Sequence, residues 1–312
     1  MDTAGEAAAA RETISQVASR FIKDRGLSAR MTGVMALMAV LYLGFMALLI
    51  SRGVSSVVVI VVAGGFAVGQ WYFSDKVALA AMRAREVSPQ QAPELHGMID
   101  RLVAMADMPK PRVYVADMDM PNAFATGRSP QHSAVCVTTG ILRRIDAEEL
   151  EGVLAHELSH VAHRDVAVMT IASFLGVLAG LITRWGLVFG GDRNNNGGGV
   201  PFLVIWLVSI AVAAISFVLT RVLSRYRELC ADRSGAYLTG KPSELASALT
   251  KISGEMARIP TRDLRSHDSM NAFFIAPALK GASLNSLLAT HPPLEQRLDQ
   301  LAKISAELGR PM

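Results

Sequence analysis

Residues 155–161 read Ala155-His156-Glu157-Leu158-Ser159-His160-Val161, an H-E-x-x-H set in a stretch that predicts a helix. Histidines at i and i+4 sit one turn apart on one helix face, so both imidazoles reach one Zn²⁺. The glutamate between them then lies beside the open coordination position. Asp146, with Glu149 three residues on, supplies a capping box that starts this helix. Metal-assisted hydrolysis of a peptide bond needs this arrangement. In that chemistry Glu157 is the general base: it takes a proton from the zinc-activated water and passes it to the leaving amine.

A catalytic zinc takes three protein ligands and leaves one position for water. The third is sought beyond His156 and His160. Glu228, in Glu228-Leu229-Cys230-Ala231-Asp232, lies 68 residues past His160. His163 is a rival, but at i+7 from His156 it stands two turns away on the same helix, which strains a shared ion. Cys230 is a softer rival and points away from the Glu228 face. Helix geometry favours Glu228. Asp232, one turn further along, is placed to accept a hydrogen bond from a ligand histidine and fix its tautomer.

The surroundings of the motif are those of a membrane. The chain has 312 residues, is 51% hydrophobic and only 19% charged, with a mean hydropathy of +0.32. Gly33–Ile50 and Val54–Phe73 are uncharged, broken by Ser51-Arg52-Gly53, and read as a transmembrane hairpin. Val166–Phe189, carrying Arg184 near its end, and Val200–Thr220 read as a second hairpin, joined by the Gly- and Asn-rich segment 190–199. Lys and Arg flank the outer ends of both hairpins: Arg20, Lys23, Arg25 and Arg30, then Lys76, Arg83 and Arg85, then Arg164, then Arg221, Arg225 and Arg227. The short connections hold Arg52 and Arg193. The positive-inside rule therefore places both termini and the middle segment in the cytoplasm, in a multi-pass protein of the cell membrane.

The division that follows is a polar segment 1–30, a hairpin 31–74, a first catalytic part 75–165, a second hairpin 166–220 and a second catalytic part 221–312. Residues 1–30 are acidic enough to make a poor signal peptide. The expected fold is α+β: a mainly helical, zincin-like catalytic domain with a small antiparallel sheet. An amphipathic helix opens near Pro93 with Leu95, Met98, Ile99, Leu102 and Val103 inward, and Met108-Pro109-Lys110-Pro111 ends it. Strands are expected at 112–116, 122–126 and 133–138. Residues 242–308 read as helical, with loops near Ile259-Pro260 and Ala276-Pro277. Two cysteines, Cys136 and Cys230, imply no disulfide framework and suit a reducing compartment. The net charge of +4, with no basic stripe among aromatics, gives nucleic-acid binding no support.

The order and spacing of four segments resemble the HtpX-like membrane zinc endopeptidases, relatives of the CAAX prenyl endopeptidases. The segments are His156–His160, Glu228–Asp232, Asn122-Ala123-Phe124-Ala125-Thr126-Gly127, and Thr290-His291-Pro292-Pro293 with Arg297. The likeness spans about residues 30–305. It implies one zinc per chain and polypeptide substrates, unfolded or embedded in the bilayer. It implies that Asn122, Ala123, Phe124 and Ala125 lie along the substrate, where an exposed strand edge binds many sequences through its backbone. It also implies that His291 and Arg297 sit near the developing oxyanion or the substrate backbone.

His160 lies six residues before the third apolar run and Glu228 eight after the fourth, so both stand roughly 10 Å from the membrane edge. Membrane proteins that misfold, or their membrane-proximal loops, are the expected substrates. Two other readings are a non-catalytic scaffold with a structural zinc, which four ligands would close and which has no use for Glu157, and processing of prenylated C-termini. Oligomeric state is not readable from the sequence.

Overall fold

The computed structural model describes residues 25–51, 56–165, 168–169, 202–256 and 291–309. The third apolar run apart from residues 168–169, the Gly/Asn segment, the polar N-terminal residues up to 24, the connection 52–55 and the loops near Pro260 and Pro277 lie outside the described residues.

Two long helices open the chain, α1 (Arg25–Ser51) and α2 (Ser56–Ala81). They carry the first two apolar runs. The fourth run is the first half of α6 (Phe202–Thr239), which continues without a break through Glu228 and Asp232. Ala29–Ala47 and Trp206–Thr239 are long and apolar enough to cross a membrane. α1 packs along α6 through Phe45 on Val212 and Met38 on Leu223, while Leu37, Val40, Leu43, Leu207, Ile215 and Val218 face outward. Apolar side chains left on the outside of a long helix suit lipid rather than water.

The remainder is built around α5 (Ala147–Ala162). Its capping box is complete, with Asp146 accepting from the Glu149 N–H and Glu149 accepting from the Asp146 N–H. α5 is buried on almost every side. It packs against α3 (Pro93–Ala106), α6, α7 (Pro242–Met256) and a four-stranded sheet, and α8 (Leu294–Glu307) closes over α6 and α7. The α3 face is the expected one, with His96 added. A short helix, α4 (Thr139–Arg144), precedes α5.

The sheet comprises β1 (Arg85–Glu86), β2 (Arg112–Ala116), β3 (Ala123–Ser129) and β4 (His132–Thr138), in the order β1-β2-β4-β3. It corrects the expectation of an antiparallel sheet. β3 and β4 form an antiparallel hairpin, but β4 inserts beside β2 in parallel, and the sheet is mixed. The reason lies in β4: Ala134-Val135-Cys136-Val137 is apolar on both faces and fully buried, so it takes an inner position. β3 becomes the edge. Strict alternation then serves two cores. Val113, Val135, Val137 and Ala123 face α5, whereas Tyr114, Ala116, Phe124, Ala134 and Cys136 face the last turns of α2 through Ala78, Leu79 and Met82. α2 thus runs from the apolar region directly onto the back of the sheet, pinned by Arg112 to the buried Asp75 at 3.2 Å.

Candidate active site

α5 and α6 supply the centre of the site, and they cross closely. A Cβ on Gly235 of α6 would lie 2.9 Å from the His156 backbone nitrogen, so the glycine is what lets the helices approach there. His156 and His160 project toward Glu228, and their candidate ligand atoms all lie within 4.8 Å of one another. His156 Nε2 is 3.6 Å from Glu228 Oε2, His160 Nε2 is 3.5 Å from Oε1, and the two Nε2 atoms are 3.3 Å apart.

The outer nitrogens are already committed. His156 Nδ1 lies 2.9 Å from Asp232 Oδ1, and His160 Nδ1 donates to Asp165 Oδ2 at 2.6 Å. When the rings are neutral, each Nε2 therefore turns a lone pair toward the other and toward the Glu228 carboxylate. That donor set fits a divalent cation of the zinc kind, for which neutral imidazole and carboxylate are ordinary ligands. His163 is not part of the cluster: it caps α5, with Nδ1 donating to the Ser159 carbonyl at 2.8 Å. Cys230 faces α1, with Sγ 3.8 Å from Met31 Sδ.

Two cations, the buried Arg297 and the half-buried Arg227, flank the acids. Arg297 of α8 forms a bidentate pair with Asp232, at 2.7 Å from Nε and 2.6 Å from Nη2, and its Nη1 is 3.9 Å from Glu228. Arg227 Nε lies 3.0 Å from Asp165 Oδ2. Burial opposes ionisation of Asp165, yet Arg227 and His160 outweigh it and bring its carboxyl down to about 2. Burial likewise opposes a charge on His156, but Asp232 and Glu228 push it up to about 10. His291 enters from the chain just before α8, its Nδ1 2.9 Å from Glu228 Oε2.

Glu157 is buried beside this cluster without joining it. Its Oε2 accepts from the backbone N–H of Ala125 on β3 at 2.9 Å. Burial pushes its carboxyl above the usual range, partly offset by the nearby histidines. Ala123 and Phe124 are buried on β3 itself. Asn122, just ahead of the strand, is fully buried, with its backbone tied to Thr138 in both directions.

Asp165 and Arg227 are the site residues that sequence reasoning missed. In the sequence Arg227 reads as a topological charge. Asp165 lies past the end of α5, where Arg164 adopts a left-handed conformation (φ 56°) that turns the chain back toward His160. The available signals were an acid five residues after the second histidine and an arginine adjoining Glu228.

Paired helical histidines and a glutamate from a second helix, on a frame rooted in membrane-length helices, belong to the membrane metalloendopeptidases. Residues 89–305 match peptidase family M48, and the chain belongs to that family. It is 58% identical over 295 residues to Protease HtpX homolog 1 of Streptomyces coelicolor, covering 93% of this chain and 97% of that protein. It is 51% identical over 293 residues to the Protease HtpX homolog of Moorella thermoacetica, covering 91% and 96%. The crystal structure of S. mikatae Ste24p superposes with a TM-score of 0.55 at 17% identity, covering 91% of this chain and 66% of that one, a likeness of fold.

Proposed function

We propose that this chain is a multi-pass zinc endopeptidase of the cell membrane that hydrolyses misfolded or damaged membrane proteins at the cytoplasmic face. The observation that carries this reading is the position of Glu157. It is buried against the ligand cluster, binds no partner within it, and is aimed by a hydrogen bond from the open sheet edge. A structural zinc site has no use for such a carboxylate.

His156, His160 and Glu228 would hold the zinc, which supplies an acidified water and polarises the scissile carbonyl. Glu157 holds the proton taken from the attacking water and delivers it to the leaving amine. Its raised affinity for a proton suits both halves of that task. His291 holds Nδ1 2.9 Å from Glu228 Oε2, and among the described residues both of its ring nitrogens are buried without a hydrogen-bond partner, which supports a role as donor to the substrate oxyanion. Arg297 stands behind these groups: it fixes Asp232, which fixes His156. Among the described residues β3 is an edge of the sheet, and its backbone at Ala123 and Ala125 is where a substrate would add as a strand. The Lys and Arg residues around the apolar runs support the cytoplasmic placement.

The test is Glu157→Gln in the purified, zinc-loaded protein. Retained zinc with lost cleavage of an unfolded membrane substrate is expected, and unchanged cleavage overturns the proposal.

A further inference from the structure

The outward face of α2 changes character along its length. Val57, Val61 and Val68 are exposed, then Trp71, Tyr72 and Phe73, then Lys76, before Ala78, Leu79 and Met82 turn into the protein. Lys76 Nζ sits 5.5 Å from the ring centroids of both Tyr72 and Phe73. A run of lipid-suited valines ending in aromatics and a lysine marks the level of the headgroups.

The edge strand can be measured against that level. Arg128, near the end of β3, lies with its guanidinium 4.8 Å from the Tyr72 ring. Thr126 pairs with Ala134, Ala134 pairs with Arg112, and Arg112 reaches Asp75 at 3.2 Å. Phe124 shares a cluster with Ala78, Leu79 and Met82. So Phe124, Thr126 and Arg128 stand beside successively earlier residues of α2. From Tyr72 to Leu79 the helix rises about 10 Å, and from Phe124 to Arg128 the strand spans about 13 Å. β3 therefore descends toward the membrane from its N-terminal to its C-terminal end, and Glu157 meets it midway, at Ala125.

This orientation gives the site a polarity. An added strand pairs more stably in the antiparallel sense, as β4 does on the other side of β3. Its N-terminal residues then pass Gly127 and Arg128 at the headgroups, and its C-terminal residues leave past Ala123 into the cytoplasm. Gly127 has φ 138° and opens a bulge, where the flat edge ends two residues from Ala125. Resting on the function proposed above, we infer that the site selects polypeptides whose membrane span lies on the N-terminal side of the cleaved bond. The cut falls about three or four residues beyond the headgroups, the reach of a strand from Ala125 down to Arg128. A segment that enters a membrane span after the cut would have to pair in parallel or loop back.

The test uses one unfolded linker in three forms: anchored by a transmembrane helix at its N-terminus, anchored by the same helix at its C-terminus, and unanchored. Each is reconstituted with the full-length, zinc-loaded protein in phosphatidylcholine–phosphatidylglycerol vesicles, with the linker on the catalytic side, and the Glu157→Gln protein serves as blank. With a spacer of about ten residues, the N-anchored form is expected to be cut at least roughly tenfold faster than the C-anchored form. The advantage should fade at about forty residues, where a flexible linker reaches the site from either end. Equal rates for the two anchored forms, or a faster C-anchored form, with both above the unanchored linker, would overturn the polarity and leave the proposed function standing. An unanchored linker cut as fast as both anchored forms would overturn the membrane preference itself, and no cleavage of any form would overturn the peptidase reading.

Discussion

The backbone N–H of Ala125 donates to Glu157 Oε2 at 2.9 Å, so the open edge of the sheet and the carboxylate beside the metal ligands form one unit. That N–H points away from β4, and an edge strand tolerates proline where its N–H faces outward. Ala125→Pro is therefore expected to fold, with a Tm lowered by the loss of this one hydrogen bond. It loses a hydrogen bond to a charged group, about 1.5–3 kcal/mol, so kcat/KM should fall roughly 10- to 100-fold. Full activity in a folded Ala125→Pro protein would show that the edge does not aim Glu157.

Arg227 and Glu228 are neighbours on α6, and through Asp165 the first orients the histidine that the second meets. Asp165→Asn and Arg227→Ala should weaken zinc affinity roughly 10- to 100-fold, read by competition with a chelator, and Arg227→Lys should recover part of the loss. The acid dependence has a definite sign. The Asp165 carboxyl is brought down to about 2 from an ordinary 3.8, so its stabilisation is complete above pH 3.8 and is lost as pH falls toward 2. Arg227→Ala should lose Tm at neutral pH, and its Tm should differ least from that of the parent protein at the acid end. An equal difference at every pH would argue against the pair.

Much of this was legible because local patterns and local structure coincide. The capping box at Asp146, the two-histidine face of α5 and the inward face of α3 each depend on residues within a few turns of one another. Glu228 was reachable because a continuous helix carries it. The parallel pairing of β4 with β2 was not legible, since it turns on which strand is apolar on both faces and so takes the interior. Nor was the docking of α2 on the sheet: Ala78, Leu79 and Met82 continue an apolar helix, and nothing local says where lipid gives way to protein. Asp165 was hidden by a left-handed turn at Arg164, where glycine would have been the usual signal.

Removing the metal should reveal the charge on His156. In the metal-free protein burial disfavours that charge, but Asp232 and Glu228 outweigh it and hold the imidazole protonated up to about pH 10. A zinc ligand must be deprotonated, so loading at neutral pH has to expel this proton. Affinity should therefore rise with pH, close to tenfold per unit between about pH 7 and 9, and calorimetry in buffers of different ionisation enthalpy should count about one proton released. Asp232→Asn should flatten the slope while lowering affinity, because the imidazolium loses its main acceptor. A zinc affinity independent of pH across that interval would contradict the assignment.

Gly235 governs how closely the two ligand-bearing helices meet. A methyl group there would lie 2.9 Å from the His156 nitrogen and 3.1 Å from its Cα, both backbone atoms that cannot step aside. Gly235→Ala must push α6 off α5, at a cost of about 1–3 kcal/mol for overpacking a buried helix crossing. The shift also withdraws Glu228, two turns earlier on α6, from His156 and His160. Tm and zinc affinity should therefore fall together, and loss of zinc should exceed the loss in Ser234→Ala, which alters the adjacent buried position without adding bulk. A Gly235→Ala protein that is destabilised yet binds zinc with full affinity would mean that the crossing sets stability alone.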